Sequence, residues 1–173
     1  TCEVVSEARH HSDWIVVVDD CCPWETGKRI KEDLNDDSII IIKTKTNLGV
    51  GGATKIGILH LLNLKCDIIV KIDADGQVDP ALISLIIKPI IDDTSEAVKG
   101  NRLINIDNML TMPPKRLFGN LGLSFLTKLS TGYWELFDPT NGFIAFKASV
   151  FDNIRLEKIN DRYFFESDLL FQC

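Results

Sequence analysis

The chain has 173 residues, with 19 Lys plus Arg against 25 Asp plus Glu, and so a formal net charge of −6 with His neutral. Hydrophobic residues make up 45% and charged residues 25%, enough apolar side chain for one ordinary globular core, which excludes disorder and collagen-like repetition. A sequence pI near 5.0 argues against a nucleic-acid partner, because neutralising phosphates needs a basic surface, so any anion has to be met locally.

The chain has no initiator Met, opens in helix-like sequence over residues 2–10 and stops inside the periodic run 162–173, which predicts a piece truncated at both ends. Strand-like and helix-like segments alternate between those ends. That order predicts an α/β fold, a mostly parallel sheet with helices on both faces, in a single domain over 1–173. Residues 14–18 read as a strand ending at Asp19 and Asp20, 25–34 as an amphipathic helix, and 39–42 as the next strand. Gly49, Gly51 and Gly52 open a helix to about Leu64, and 67–72 form a third strand ending at Asp73. Asp79-Pro80 is a helix start, with Asp as cap and Pro in the first turn, followed by Leu82, Ile83, Leu85, Ile86 and Ile87 as a buried stripe. Residues 96–100 read as a strand, 116–130 as a largely apolar helix after Pro113-Pro114, and 141–146 as a further strand. Trp14 and Trp24 are expected to pack.

Cys2, Cys21, Cys22, Cys66 and Cys173 form neither a C-x-x-C pair nor a two-plus-two zinc spacing, and their odd number points to reduced thiols in the cytosol. No run approaches the ~18–20 apolar residues of a membrane span, and Arg9, His10, His11 and Asp13 interrupt any signal-peptide core.

The most informative run is Asp67-Ile-Ile-Val-Lys-Ile-Asp73-Ala-Asp75-Gly-Gln77. An apolar strand delivers two carboxylates and a carboxamide at alternating positions, and period-two spacing turns all three toward one point. Such oxygen ligands suit Mg²⁺ or Mn²⁺, which takes one or two protein carboxylates and leaves room for phosphate and water. Taken alone the run reads equally well as a solvated acidic turn. A calcium-binding loop fails at Gln77 and Val78, whereas a phosphohydrolase with Asp73 as nucleophile fits until Gln77. The glycine stretch departs from a P-loop at Thr54 and Ile56 and from a dinucleotide fingerprint at Thr54.

In this order and spacing the motifs resemble glycosyltransferase family 2, with its GT-A fold, and within it the dolichol-phosphate-mannose-synthase-like branch. The resemblance runs nearly end to end. Val18-Asp19-Asp20 resembles the family's V-D-D, Asn47-x-Gly49 with Gly51-Gly52-Ala53 its N-x-G-x-x-x-A, and Asp73-Ala-Asp75-Gly-Gln77 its D-x-D-x-Q. Lys99-Gly100-Asn101-Arg102 resembles its G-N-R, and Asp138-x-Thr140-Asn141-Gly142-Phe143 its D-x-T-S-G-F. The family's usual first strand, P-x-Y/F-N-E, has no counterpart in the sequence, and Thr54-Lys55 replaces Arg-Asn.

The resemblance implies an inverting hexosyltransferase that uses a GDP- or UDP-sugar. Asp20, Asn47, Gly49, Lys55 and Asp73 would contact the nucleotide, and Asp73, Asp75 and Gln77 would hold the metal. Independently of family, a diphosphate leaves readily only when its developing charge is neutralised, which a divalent cation does. Two acceptors are open. A glycan hydroxyl needs a general base, here Asp168 or Glu166, whose i, i+2 helical spacing lets only one face the site. A polyprenyl phosphate, of dolichyl or undecaprenyl type, is already anionic and needs none. Arg102, Lys115, Arg116 and Asn120 resemble phosphate-holding positions of that branch, with Thr140 and Asn141 also on the acceptor side, and Arg suits bidentate phosphate contacts. The lipid phosphate is the first expectation, and with it glycolipid or polysaccharide biosynthesis at the cytosolic face of a membrane. From other classes, the phosphohydrolase and a non-catalytic sugar-nucleotide binding module remain as alternatives.

Overall fold

The structure, a computed structural model, describes residues 1–101, 141–162 and 164–172, together with Gly122 and Leu129. The expected helix at 116–130 and Arg102, Lys115, Arg116, Asn120 and Thr140 therefore lie outside the described residues.

The chain enters through α1 (Cys2–Ala8) and a 3-10 turn (Arg9–His11) to β1 (Ile15–Asp19), then α2 (Thr26–Leu34), β2 (Ile39–Lys43), α3 (Gly49–Asn63) and β3 (Ile68–Lys71). A 3-10 turn (Pro80–Leu82), the single-turn helices α4 (Ile83–Ile86) and α5 (Lys88–Ile91), β4 (Ala97–Lys99), β5 (Ile144–Lys147) and α6 (Phe165–Gln172) complete the main elements. β1 and β2 are β-branched runs that pair in parallel, from Ile15 opposite Ile39 to Asp19 opposite Lys43. The other sheet has the order β3-β5-β4, with β5 antiparallel to both neighbours, so β3 and β4 run in one direction. The antiparallel entry of β5 is the feature that an alternating pattern of elements does not reveal.

Strand periodicity sends side chains to two cores, one on each face of that sheet. Ile69, Ile144 and Phe146 pack with Ile58 of α3 and with Phe165, Leu169 and Leu170 of α6. Val70, Ala145 and Val98 point the other way, onto Ala8 of α1 and Ile83, Ile86 and Ile90 of α4 and α5. A one-residue slip would exchange the faces, so burial on both sides fixes the register.

The expected stripe over 82–87 is corrected here. Ile83 and Ile86 are buried, but Leu82 is 43% and Leu85 67% exposed. Pro89 has no N–H to give the Leu85 carbonyl and its ring crowds that oxygen, so the helix breaks into two short turns, while Ile83, Ile86 and Ile90 keep the i, i+3, i+7 spacing of one face and Leu82 and Leu85 fall outside it. Trp24, expected to pack, is 72% exposed.

Among the described residues no hydrogen-bonded ladder joins β1 to β3. A slot of about 730 Å³ separates them, walled by 15–18 and 67–73 and covered by Val5 and Ala8 of α1 and Ala53 and Gly57 of α3. Thr1 Oγ1 donates to the Ala74 carbonyl (3.3 Å), which puts the start of α1 just past the C-terminal end of β3.

Candidate active site

Acidic residues end both β1 and β3, and their partners differ. Asp19 is buried, and its carboxylate accepts the backbone N–H of Cys22 (2.8 Å) and of Gly27 (3.0 Å), closing the turn into α2. Asp20 accepts from Thr44 Oγ1 (2.9 Å), from the Leu48 N–H on both oxygens (2.8 and 3.0 Å) and from the Gly49 N–H (2.8 Å). Burial pushes the Asp20 carboxyl up, but the Leu48, Thr44 and Gly49 donors, with the Arg162 charge, outweigh it and hold the group below its ordinary value. Asn47 Nδ2 donates to the Asp20 carbonyl (3.4 Å). The side chains that end β1 thus hold the loop leading into α3.

The glycines of that loop serve a seam. Gly49 has φ +84°, a left-handed conformation that favours glycine, and a Cβ on Gly51 would collide with the Asn160 carbonyl. The Gly52 N–H donates to the Asp161 carbonyl (3.0 Å). Lys55 Nζ donates to the Ile159 carbonyl (2.8 Å) and pairs with the Asp161 carboxylate. Segment 159–161 therefore lies along the first turns of α3, and the Lys55 ammonium faces that segment.

At the end of β3 one ammonium joins three segments. Lys71 Nζ donates to Asp73 Oδ1 (2.8 Å) and to Glu166 Oε1 of α6 (3.0 Å). The Lys71 and Glu166 side chains are each 11% exposed, whereas that of Asp73 is 44% exposed. Gly142, just before β5, completes the arrangement, since a Cβ there would overlap Asp73 Oδ2 and lie 2.6 Å from Lys71 Nζ. Next to it, buried Asn141 accepts the Phe143 N–H on Oδ1 (3.0 Å), and its carbonyl accepts from Lys99 Nζ (2.5 Å). Asp75 and Gln77 are exposed, and Asp75 Oδ1 accepts the Gln77 N–H (3.0 Å). Of the two acids on α6, Glu166 turns inward to Lys71, while Asp168 accepts the Asn160 N–H (2.8 Å) on another side of the helix. That is the divergence expected of i, i+2 positions.

The structure thus brings Asp73, Glu166, Gly142 and Lys71 together and sets Asp75 and Gln77 at the exposed mouth. It engages Asp20, Asn47, Gly49, Lys55 and Asp168 elsewhere. Lys71 is the residue that sequence reasoning passed over. Its signal was present, because a lysine inside an Ile-Ile-Val strand between two cores needs buried anionic partners.

Among the described residues no group of three or more His, Cys, Asp or Glu is disposed to hold a metal. The oxygen donors of Asp73, Asp75 and Gln77 nevertheless fit a hard divalent ion that takes its remaining ligands from a phosphate and water.

A mixed α/β sheet with carboxylates at a strand's C-terminal edge defines the class of proteins that seat ligands in that crevice. Residues 3–155 match the Glycosyl transferase family 2 profile, and the chain belongs to that family. This membership sets the phosphohydrolase aside. The chain is 39% identical over 160 residues to a UDP-N-acetylglucosamine--dolichyl-phosphate N-acetylglucosaminyltransferase of Methanococcus voltae, covering 84% of this chain and 63% of that protein. It is 32% identical to an uncharacterized protein of Methanocaldococcus jannaschii (90% and 62% covered) and 28% identical to an undecaprenyl-phosphate mannosyltransferase of Micrococcus luteus (91% and 65%). The chain spans less than two-thirds of the length of each of these relatives. No helix among the described residues is long and apolar enough to cross a membrane.

Proposed function

We propose that the chain is the donor-binding part of a metal-dependent glycosyltransferase that moves a sugar from a nucleoside-diphosphate sugar to a polyprenyl phosphate with inversion. The observation that carries this reading is the Asp73–Lys71–Glu166 cluster beside the exposed Asp75 and Gln77. Asp73, Asp75 and Gln77 hold the ion and Asp73 reaches the ribose, with Asp20, Asn47, Gly49 and Lys55 on the nucleotide side. When bound, the divalent ion neutralises the charge that develops on the departing diphosphate.

In the transfer an acceptor oxygen bonds to the anomeric carbon while the bond to the diphosphate oxygen breaks and its electron pair leaves with the diphosphate. The acceptor is inferred from the acids on α6. Glu166 is 8% exposed with Oε1 on Lys71, and Asp168 is tied to the Asn160 N–H. Neither carboxylate is presented as a base to a glycan hydroxyl, and a phosphate oxygen needs none. Both relatives whose names state an acceptor, the dolichyl-phosphate and undecaprenyl-phosphate enzymes, support the same choice. Arg102, Arg116 and Asn120, with Thr140 and Asn141, are assigned to the acceptor phosphate, at the cytosolic face of a membrane.

The test is thermal shift with UDP and GDP, each with and without Mn²⁺, followed by sugar transfer from the corresponding nucleoside-diphosphate sugar to a short polyprenyl phosphate. Stabilisation by one nucleotide only with Mn²⁺, and a lipid-linked product, are the expected outcomes. Transfer to a glycan hydroxyl with no lipid product would replace the acceptor assignment, and nucleotide binding without any turnover in the whole protein would favour the binding module.

A further inference from the structure

The Lys71 ammonium lies where a divalent ion would also bring positive charge. It is 2.8 Å from Asp73 Oδ1 and 3.0 Å from Glu166 Oε1, and it reaches this position because Gly142 has no Cβ. One of the two Asp73 oxygens is therefore already committed to a cation, and the other lies against Gly142. An ion approaching Asp73 meets that ammonium within a hydrogen-bond length of its ligand oxygen, and two cations sharing one carboxylate repel. A diphosphate changes the balance, since its negative charge attracts both cations and its oxygens supply the ligands that the protein lacks.

We propose that Lys71 is a built-in counter-cation that competes with the divalent ion for Asp73, so that the ion binds firmly only together with the nucleotide diphosphate. This inference rests on the metal-dependent reading above and deepens it. Lys71 acts through Asp73 and is a positioning residue. Its effect is a coupling between ion and nucleotide, and linkage makes that coupling reciprocal: whatever factor the nucleotide adds to ion affinity, the ion adds to nucleotide affinity. The half-open set of oxygen donors at the mouth fits such coupling, because an ion that finds only Asp73, Asp75 and Gln77 must complete its shell from the donor substrate.

The test uses Lys71→Met/Glu166→Gln in the whole protein, which removes one charge of each sign and so preserves the net charge. Lys71→Met alone would bury an uncompensated carboxylate, so the pair is changed together. Mn²⁺ is titrated by calorimetry, or by the electron spin resonance signal of the free ion, first alone and then with UDP or GDP.

In the double variant Mn²⁺ alone should bind about tenfold tighter than in the wild type, the scale on which one charge within ~4–6 Å biases a carboxylate. The gain in ion affinity that the nucleotide confers should shrink by a similar factor, and Lys71→Arg should keep the wild-type pattern. A residue that merely supports the fold would lower affinity or leave it alone, so tighter binding is the diagnostic result. Equal or weaker Mn²⁺ affinity in a folded double variant overturns the competition. The donor-site reading then still stands if Asp73→Asn abolishes nucleotide-dependent Mn²⁺ binding. Absence of Mn²⁺ binding in the wild type even with nucleotide overturns both. Should the double variant not fold, Lys71→Gln, which removes the ammonium and keeps a neutral amide donor on the strand, decides by the same criterion.

Discussion

Two strands, β1 and β3, end in closely spaced aspartates, and the two ends are built on different principles. At β1 the carboxylates of Asp19 and Asp20 accept backbone N–H groups of Cys22, Gly27, Leu48 and Gly49, donors that cannot leave without unfolding a turn. At β3 the Asp73 carboxylate is held, among the described residues, by one side-chain ammonium, is nearly half exposed, and stands next to the open Asp75. Backbone donors make a carboxylate part of the scaffold. A lone ammonium leaves it exchangeable. The same residue type in the same place on neighbouring strands is thus tied into the backbone in one case and left half-open in the other.

The comparison is broken most directly by removing the carboxylates at β3. On the proposed role of Asp75 in holding a divalent ion, which would supply several kcal/mol to the leaving group, Asp75→Asn should lower sugar transfer by about 10²-fold or more and should barely change the melting temperature. Activity unchanged within a factor of three would remove Asp75 from the donor site. Next in size, Lys71→Met should destabilise the fold by about 3–5 kcal/mol in urea unfolding by stranding Glu166, with most of that loss recovered in Lys71→Met/Glu166→Gln. Equal losses in the single and the double variant would show that packing of the lysine stem, not charge, is at stake.

At the β1 end Asp19→Ala should cost about 1–3 kcal/mol of stability, because it leaves two buried N–H donors without their acceptor. The smallest effect is one of pH. Asp36 is held down to about 2 by the Ser38 hydroxyl and N–H and by Arg9, and Asp20 also lies below the ordinary 3.8. Between those values the unfolded chain binds more protons than the folded one. The stability these two groups supply is therefore complete above pH 3.8 and drains away toward pH 2, which melting curves across pH 2–5 would follow. A midpoint that falls less steeply over that range in Asp36→Asn than in the wild type would assign part of the slope to Asp36, and equal slopes would assign it none.

Much of this was legible in the sequence because it rests on local chemistry. The runs of Ile and Val at β1, β2 and β3 carry their own preference for strand, and Asp79-Pro80 starts its turn as expected, with Asp79 accepting the Ala81 N–H (2.9 Å). The aspartates at and just past the ends of β1 and β3 could be placed from the apolar runs that precede them. What the sequence concealed depends on contacts between distant segments. Lys71 and Glu166 are 95 residues apart, and the Lys55 contact with Ile159 spans 104, so no window of sequence contains either pair. The inward turn of Glu166 and outward turn of Asp168 was open in sequence because i, i+2 spacing says that the acids diverge without saying which one faces β3. Leu85 misled for a local reason, since five apolar residues within 82–87 exceed one helix face, and only Ile83, Ile86 and Ile90 keep its i, i+3, i+7 spacing.

The slot between β1 and β3 has a further consequence for how this molecule meets other chains. Among the described residues β1 pairs with β2 and β3 with β5, each on one side, so each turns its other edge toward the slot. Open strand edges usually lie at the rim of a sheet, where they invite edge-to-edge aggregation. Here α1 and α3 roof the slot from its two faces. A neighbouring sheet, which is broad, is kept out by those helices, so these edges are shielded from the edge-to-edge pairing that an open rim invites.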